Sequence, residues 1–192
     1  IIDRPLRVRN LKVYDPLFFT SKLFDANLHK ILPRIFSQKL PFQSEMPSKS
    51  CVYVSRSRLK GGTTGYANEE ELVARLISAG VPVIYPEELD FREKLKVFFT
   101  YENIVGFPQS FFHLRNFLPR RNKSKIVYLL AGKETMNVDF LLMEKFGGYG
   151  SMYFECEMPE AVDVEKIETF QRVTIFDVEA AFRVVKALHD DW

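Results

Sequence analysis

The 192-residue chain is 46% hydrophobic and 14% aromatic with a net charge of +2, a composition that sustains a packed core and excludes a disordered segment. No apolar run approaches the roughly 20 residues a membrane-spanning helix needs. Two cysteines, with no CxxC, no HExxH and no cluster of His with carboxylates, argue against a structural metal site.

Residues 6–13 alternate apolar and basic side chains, which predicts a half-exposed strand. Residues 17–36 then space Phe18, Phe19, Leu23, Phe24, Leu28, Ile31, Leu32, Ile35 and Phe36 closer to a helical than to a strand period. A break is expected at Pro33. Residues 40–49, mostly polar with two prolines, read as a linker.

From there the pattern becomes regular. Strands are expected over 51–55, 81–85, 103–106, 125–130 and 151–156, and helices over 68–79, 90–100, 110–118 and 135–146. Alternation at intervals of about 25 residues is the mark of βαβ units and a mainly parallel sheet. The fold class is therefore α/β, a Rossmann-like sheet flanked by helices. The tail adds a strand at 173–176 and a helix capped by Asp177, with Val178, Ala181, Phe182, Val185 and Leu188 on its apolar face. The chain divides into an extension and linker (1–49), a nucleotide-binding lobe (50–156) and a C-terminal strand with a packing helix (157–192).

Ligands of open parallel sheets bind beyond the carboxyl ends of the strands. After the first strand of the repeat come Ser55, Arg56, Ser57 and Arg58, then Gly61-Gly62-Thr63-Thr64-Gly65. Two arginines, hydroxyls and glycines there suit a diphosphate. The spacing matches neither the dinucleotide fingerprint nor the Walker A loop, so a solvated glycine-rich loop stays open beside it. Asn68 with Glu71 approximates a capping box, a structural reading of the Asn68-Glu69-Glu70-Glu71 run. Glu87, after the second strand, is either a carboxylate facing the cleft or a helix-entry acid. Ser110 opens a helix at the carboxyl edge of the sheet, where anions bind. His113, one turn further in among phenylalanines, reads as a packed residue. The basic stretch 119–125 reads as a solvated turn, and its Asn122-Lys123-Ser124 fits a glycosylation sequon. Cys51 and Cys156 each fall in an apolar strand, which favours two buried thiols over a disulfide.

The small net charge hides a gradient. Residues 1–60 carry 12 Lys/Arg against 4 Asp/Glu, residues 61–125 carry 9 against 8, and residues 126–192 carry 6 against 13. The basic front third suits phosphates or an acidic glycan. Its charges are spread along the segment and not stacked on one helix face, so nucleic acid is not the favoured partner. The chain opens on Ile1 without a visible signal peptide, as a piece of a longer protein would; any targeting signal would lie in the remainder. The few cysteines point to a cytoplasmic location, with a secretory lumen as the alternative.

In order and spacing, these motifs resemble the C-terminal lobe of glycosyltransferase family 61, which includes capsular-polysaccharide-type bacterial proteins. The resemblance rests on Val54-Ser55-Arg56, Asn68-Glu69, Gly80-Val81, Pro86-Glu87-Glu88-Leu89, Ile104-Val105-Gly106, Phe117, Pro119, the strand Ile126–Leu130, Phe140 and Tyr153, and covers roughly residues 50–156. It implies one lobe of a two-lobed GT-B-like enzyme that transfers a sugar from a nucleotide-sugar donor to a glycan or protein acceptor. The donor is a substrate, no further cofactor is implied, and the remaining lobe would belong to a longer chain. By that likeness Ser55 and Arg56 contact donor phosphate and Glu87 and Ser110 line the cleft; with Arg58 they form the candidate donor-binding set. No catalytic residue is assigned. The family's His-Gly after the third strand is replaced by Pro108-Gln109, its Asn by Leu114, its strand glutamate by Tyr128, and its arginine before Asn-Glu by Gly65-Tyr66. Three readings follow: a divergent glycosyltransferase, a non-catalytic relative that binds or scaffolds, and an unrelated Rossmann-like domain.

Overall fold

The computed structural model describes residues 18–19, 23–24, 28–37, 47, 49–119, 122–132, 136–158 and 169–191. The strand expected over 6–13 and most of the 40–49 linker lie outside them. A short antiparallel pair, β1 (Phe18–Phe19) and β2 (Leu23–Phe24), precedes α1 (Leu28–Ser37). Pro33 sits inside α1 and does not end it. Leu32 packs against the core of the main sheet, and that contact holds the helix across the one backbone bond Pro33 cannot donate.

In chain order there follow β3 (Lys49–Val54), β4 (Gly62–Tyr66), α2 (Glu69–Ser78), β5 (Val83–Ile84), α3 (Phe91–Thr100) and β6 (Tyr101–Gly106). A 3₁₀ helix (Ser110–Phe117), β7 (Lys125–Leu130), α4 (Val138–Gly147), β8 (Ser151–Glu155), β9 (Phe170–Thr174) and α5 (Val178–Asp190) complete the described elements. Five strands form one sheet in the order β5-β3-β6-β7-β8, every neighbouring pair parallel. The α/β Rossmann-like arrangement expected from the alternation is what the chain adopts.

The sheet is covered on both faces, which is why its central strands are continuous apolar runs and not alternating ones. Val52, Val54, Ile104 and Tyr128 face α3, α4 and the 3₁₀ helix, packing with Leu95, Phe98, Phe112 and Phe140. Cys51, Tyr53, Val105 and Val127 face α2 and α5, packing with Leu72, Leu76, Ala181 and Val185. Both cysteines are free and buried. Burial pushes the Cys51 thiol up to about 12 and the Cys156 thiol up to about 11.

Capping is local and legible. Asp90 and Glu93 close a reciprocal capping box at the start of α3. Asn137 caps α4 and Asp177 caps α5 through their side chains. The expected capping box at Asn68 does not form. Its side chain instead exchanges two hydrogen bonds with the backbone of Phe176, tying the start of α2 to the chain entering α5.

The glycine-rich segment forms a strand. β4 pairs in parallel with β9, in the register Gly62 with Phe170, Thr64 with Arg172 and Tyr66 with Thr174. The tail strand thus runs Phe170–Thr174, earlier than the expected 173–176. Phe176 is instead packed into the core beside Phe107 and Tyr66.

Candidate functional site

In the main sheet the second strand, β5, lies outside the first, β3, while later strands extend the other side. The winding therefore reverses between β3 and β6, and the crevice beyond their carboxyl ends is where such folds seat ligands.

At the end of β3 the chain is held by one buried carboxylate. Glu69 is 1% exposed, and its Oε1 accepts from the Tyr53 hydroxyl at 2.9 Å, the Ser55 hydroxyl at 3.2 Å and the Arg56 backbone N–H at 2.8 Å. Burial raises the Glu69 carboxyl above its usual value, while these donors pull it the other way. Ser55 is fully buried, so its hydroxyl serves this anchor and lies behind the crevice wall.

Arg56 comes next and reaches across the crevice. Its Nη1 donates to the Pro108 carbonyl at 3.1 Å and its Nη2 to the Thr64 carbonyl at 2.7 Å, linking the chain just after β6 to the middle of β4. Its Nε has no hydrogen-bond partner among the described residues. Close approach of β3 and β6 depends on Gly106, where a Cβ would stand 2.8 Å from the Val54 carbonyl oxygen. Gln109 fills the same corner, donating to that carbonyl at 3.0 Å.

A cavity of about 890 Å³ opens here. Its polar lining includes Arg56, Thr63, Thr64, Glu87, Lys94 and Arg172. Its aromatic and apolar lining includes Phe91, Phe111, His113, Leu114 and Phe140. The arrangement has cations for an anionic group and rings for a flat or apolar one.

Of the residues singled out from sequence, Arg56, Glu87 and Ser110 line this one cavity. Arg58 is not among its lining residues: its guanidinium stacks 3.6 Å over Tyr85 and pairs with Glu88 at the surface. His113 does more than pack, since it lines the cavity 4.8 Å from the Phe140 ring, with its Nε2 shielded and without a hydrogen-bond partner among the described residues. Burial lowers the His113 pKa below its usual value, against the pull of Asp139, so the neutral imidazole is favoured. Sequence reasoning passed over Lys94, Asn137 and Arg172. Lys94 sits on α3 as one charge among several, and nothing local marks Arg172, which reaches the cavity only through the pairing of β9 with β4.

In the basic stretch entering β7, Arg120 and Arg121 lie outside the described residues and Lys123 and Lys125 are exposed as a solvated turn would have them, but Asn122 and Ser124 are not. Asn122 and Ser124 are 4% and 3% exposed and bond the buried Arg115 guanidinium, which lies over Tyr149. With no carboxylate in that set, burial pushes the Arg115 guanidinium down to about 10. The Asn122 amide also donates to the Phe98 carbonyl, so the sequon nitrogen is engaged in the folded chain. Among the described residues no group of three or more His, Cys, Asp or Glu is placed to hold a metal ion, and no helix is long and apolar enough to cross a membrane.

A family model, Glycosyltransferase 61, matches residues 4–127. The chain belongs to the glycosyltransferase 61 family. No curated protein matches it. The family match takes in β3 through β6, the 3₁₀ helix and the opening of β7, and with them Arg56, Glu87, Lys94, Ser110 and His113. It begins well before the residues that first suggested the family and stops before α4, β9 and α5. It also removes the reading of an unrelated Rossmann-like domain. Where the family is expected to carry a strand glutamate, this glycosyltransferase 61 chain has Tyr128, 1% exposed, stacked on Tyr153 and edge-to-face with Phe112 and Phe140.

Proposed function

We propose that the cavity beyond β3 and β6 is the donor site of a glycosyltransferase lobe, taking a nucleotide-sugar for transfer to a glycan or protein acceptor, with the chain as one lobe of a GT-B-like enzyme. The observation that carries this reading is the charge around the cavity: Arg56, Lys94 and Arg172 line it, and Glu87 is the one acid among the described residues that do. Three cations against one carboxylate at a topological switch point suit a diphosphate. Arg56 and Ser110 are the proposed phosphate contacts within the family-matched segment, and Ser55 acts from behind by anchoring the Arg56 backbone. Transfer to a hydroxyl needs a proton acceptor, and Glu87 and His113 are the lining groups able to take that part.

Calorimetric titration of the chain with UDP, GDP and CMP tests the reading. Binding of one nucleotide, lost in Arg56→Ala with the fold retained by circular dichroism, is the expected result. Unaltered affinity in that variant, or no binding of any nucleotide by the folded wild-type chain, would refute it.

One observation favours a second reading, a lobe that binds donor without turnover. The Gln109 side chain, in the place of the family's expected His-Gly pair, is consumed by its bond to the Val54 carbonyl and offers the cavity no proton acceptor. Donor hydrolysis or transfer by the full-length protein, measured with and without Glu87→Gln, separates the two. Turnover of any kind ends the second reading.

A further inference from the structure

We propose that β9 delivers Arg172 to the cavity as a second guanidinium for the donor's diphosphate, so that the phosphate seat is built jointly by the residues after β3 and by a C-terminal strand outside the family-matched segment. The inference rests on the donor reading above and assigns part of its site.

The argument starts from the glycines. Gly61-Gly62-Thr63-Thr64-Gly65 is poor strand-forming sequence, yet it pairs in parallel with a segment more than half the chain away. What the glycines provide there is room. A Cβ on Gly61 would stand 2.7 Å from the Thr169 carbonyl oxygen, and one on Gly65 would meet the Phe170 ring at 3.0 Å. Glycine in a strand often marks a place where another backbone or ring comes close, and here the neighbour is β9. The motif that looks like a phosphate cradle is thus the docking strip for the tail strand.

The register then fixes what that strand carries. Thr64 pairs with Arg172, and the Thr64 carbonyl accepts the Arg56 Nη2 at 2.7 Å. One residue therefore places both arginines, and both line the cavity. A planar guanidinium offers a fork of donors to the oxygens of a phosphate, and two forks suit two adjacent phosphates. Arg172 is exposed, so its replacement leaves the core untouched.

The experiment is calorimetric titration of the 192-residue chain with inorganic pyrophosphate, UDP and GDP. It compares wild type, Arg172→Ala, Arg172→Lys and Arg183→Ala, the last an exposed arginine on α5 outside the cavity lining. Arg172→Ala is expected to weaken pyrophosphate and the bound nucleoside diphosphate about tenfold or more. Arg172→Lys recovers part of that, keeping the charge without the fork, and Arg183→Ala matches wild type. Equal affinities for wild type and Arg172→Ala overturn the proposal and leave the donor reading standing. Pyrophosphate binding that depends on Arg172, with no binding of either nucleotide, keeps the Arg172 anion contact and overturns the donor reading. An equal loss in Arg183→Ala shows a general charge effect and overturns the Arg172 contact. Absence of any binding by wild type overturns both.

Discussion

Glu69 gathers three donors onto one oxygen at the end of β3, and a carboxylate so placed is under opposing influences. The donors stabilise its charge, while removal from water disfavours it; burial is the larger effect, and the pKa is raised above the usual carboxylate value. A raised folded-state pKa means the native state holds that proton more tightly than the unfolded chain does. The associated stability is present below about pH 4.5 and is lost as pH rises through the folded-state value. Glu69→Gln removes the titration while keeping an acceptor oxygen. We expect the stability of Glu69→Gln relative to wild type, as the free energy required to unfold it, to increase as pH rises from 4 toward 7. Urea denaturation across that range measures it, and a constant difference would show that Glu69 does not titrate there. The sequence showed Asn68-Glu69 plainly, but a cap and a buried anchor share the same letters; only the tertiary position of Tyr53, Ser55 and Phe176 decides between them.

At the scale of elements, all five strands of the main sheet were legible, the more exposed β5 and β8 as well as the buried β3, β6 and β7. The runs at β3, β6 and β7 are apolar because both their faces are covered, and composition alone places them in a sheet interior. β4 was not legible, since its strand character comes from β9 and not from its own glycines and threonines. Asn122 and Ser124 hid for a related reason: they are buried where they bond Arg115, which lies on a different element. In the candidate site, Arg56, Glu87 and Ser110 could be found by their place after strand ends, whereas Arg172 could not. The β4–β9 ribbon makes a prediction of its own. Gly65→Val puts a branched side chain against the Phe170 ring, where overpacking costs about 1–3 kcal/mol. We expect amide exchange over 170–174 to rise in this variant while exchange in β3, β6 and β7 stays at the wild-type level; unchanged protection over 170–174 would show that the ribbon tolerates the change.

At the scale of the whole molecule, two thiols report on integrity. Cys51 and Cys156 are each 1% exposed with thiols pushed up to about 12 and about 11, which leaves almost no thiolate at neutral pH. An aromatic disulfide reagent should therefore label neither in the native chain, and both should react at the rate of global unfolding; fast native labelling of either would mean its strand opens locally. The fold also imposes an order on synthesis. Every strand of the main sheet has been made once residue 155 is in place, but Thr64 then still waits for a partner at Arg172. Growing from its N-terminus, the chain holds the first half of this ribbon throughout the synthesis of the rest of the sheet. A product stopped at residue 158 carries all five strands of the sheet and still lacks Arg172 from the cavity lining, so ligand capture would distinguish chains that include β9 from chains that stop short of it.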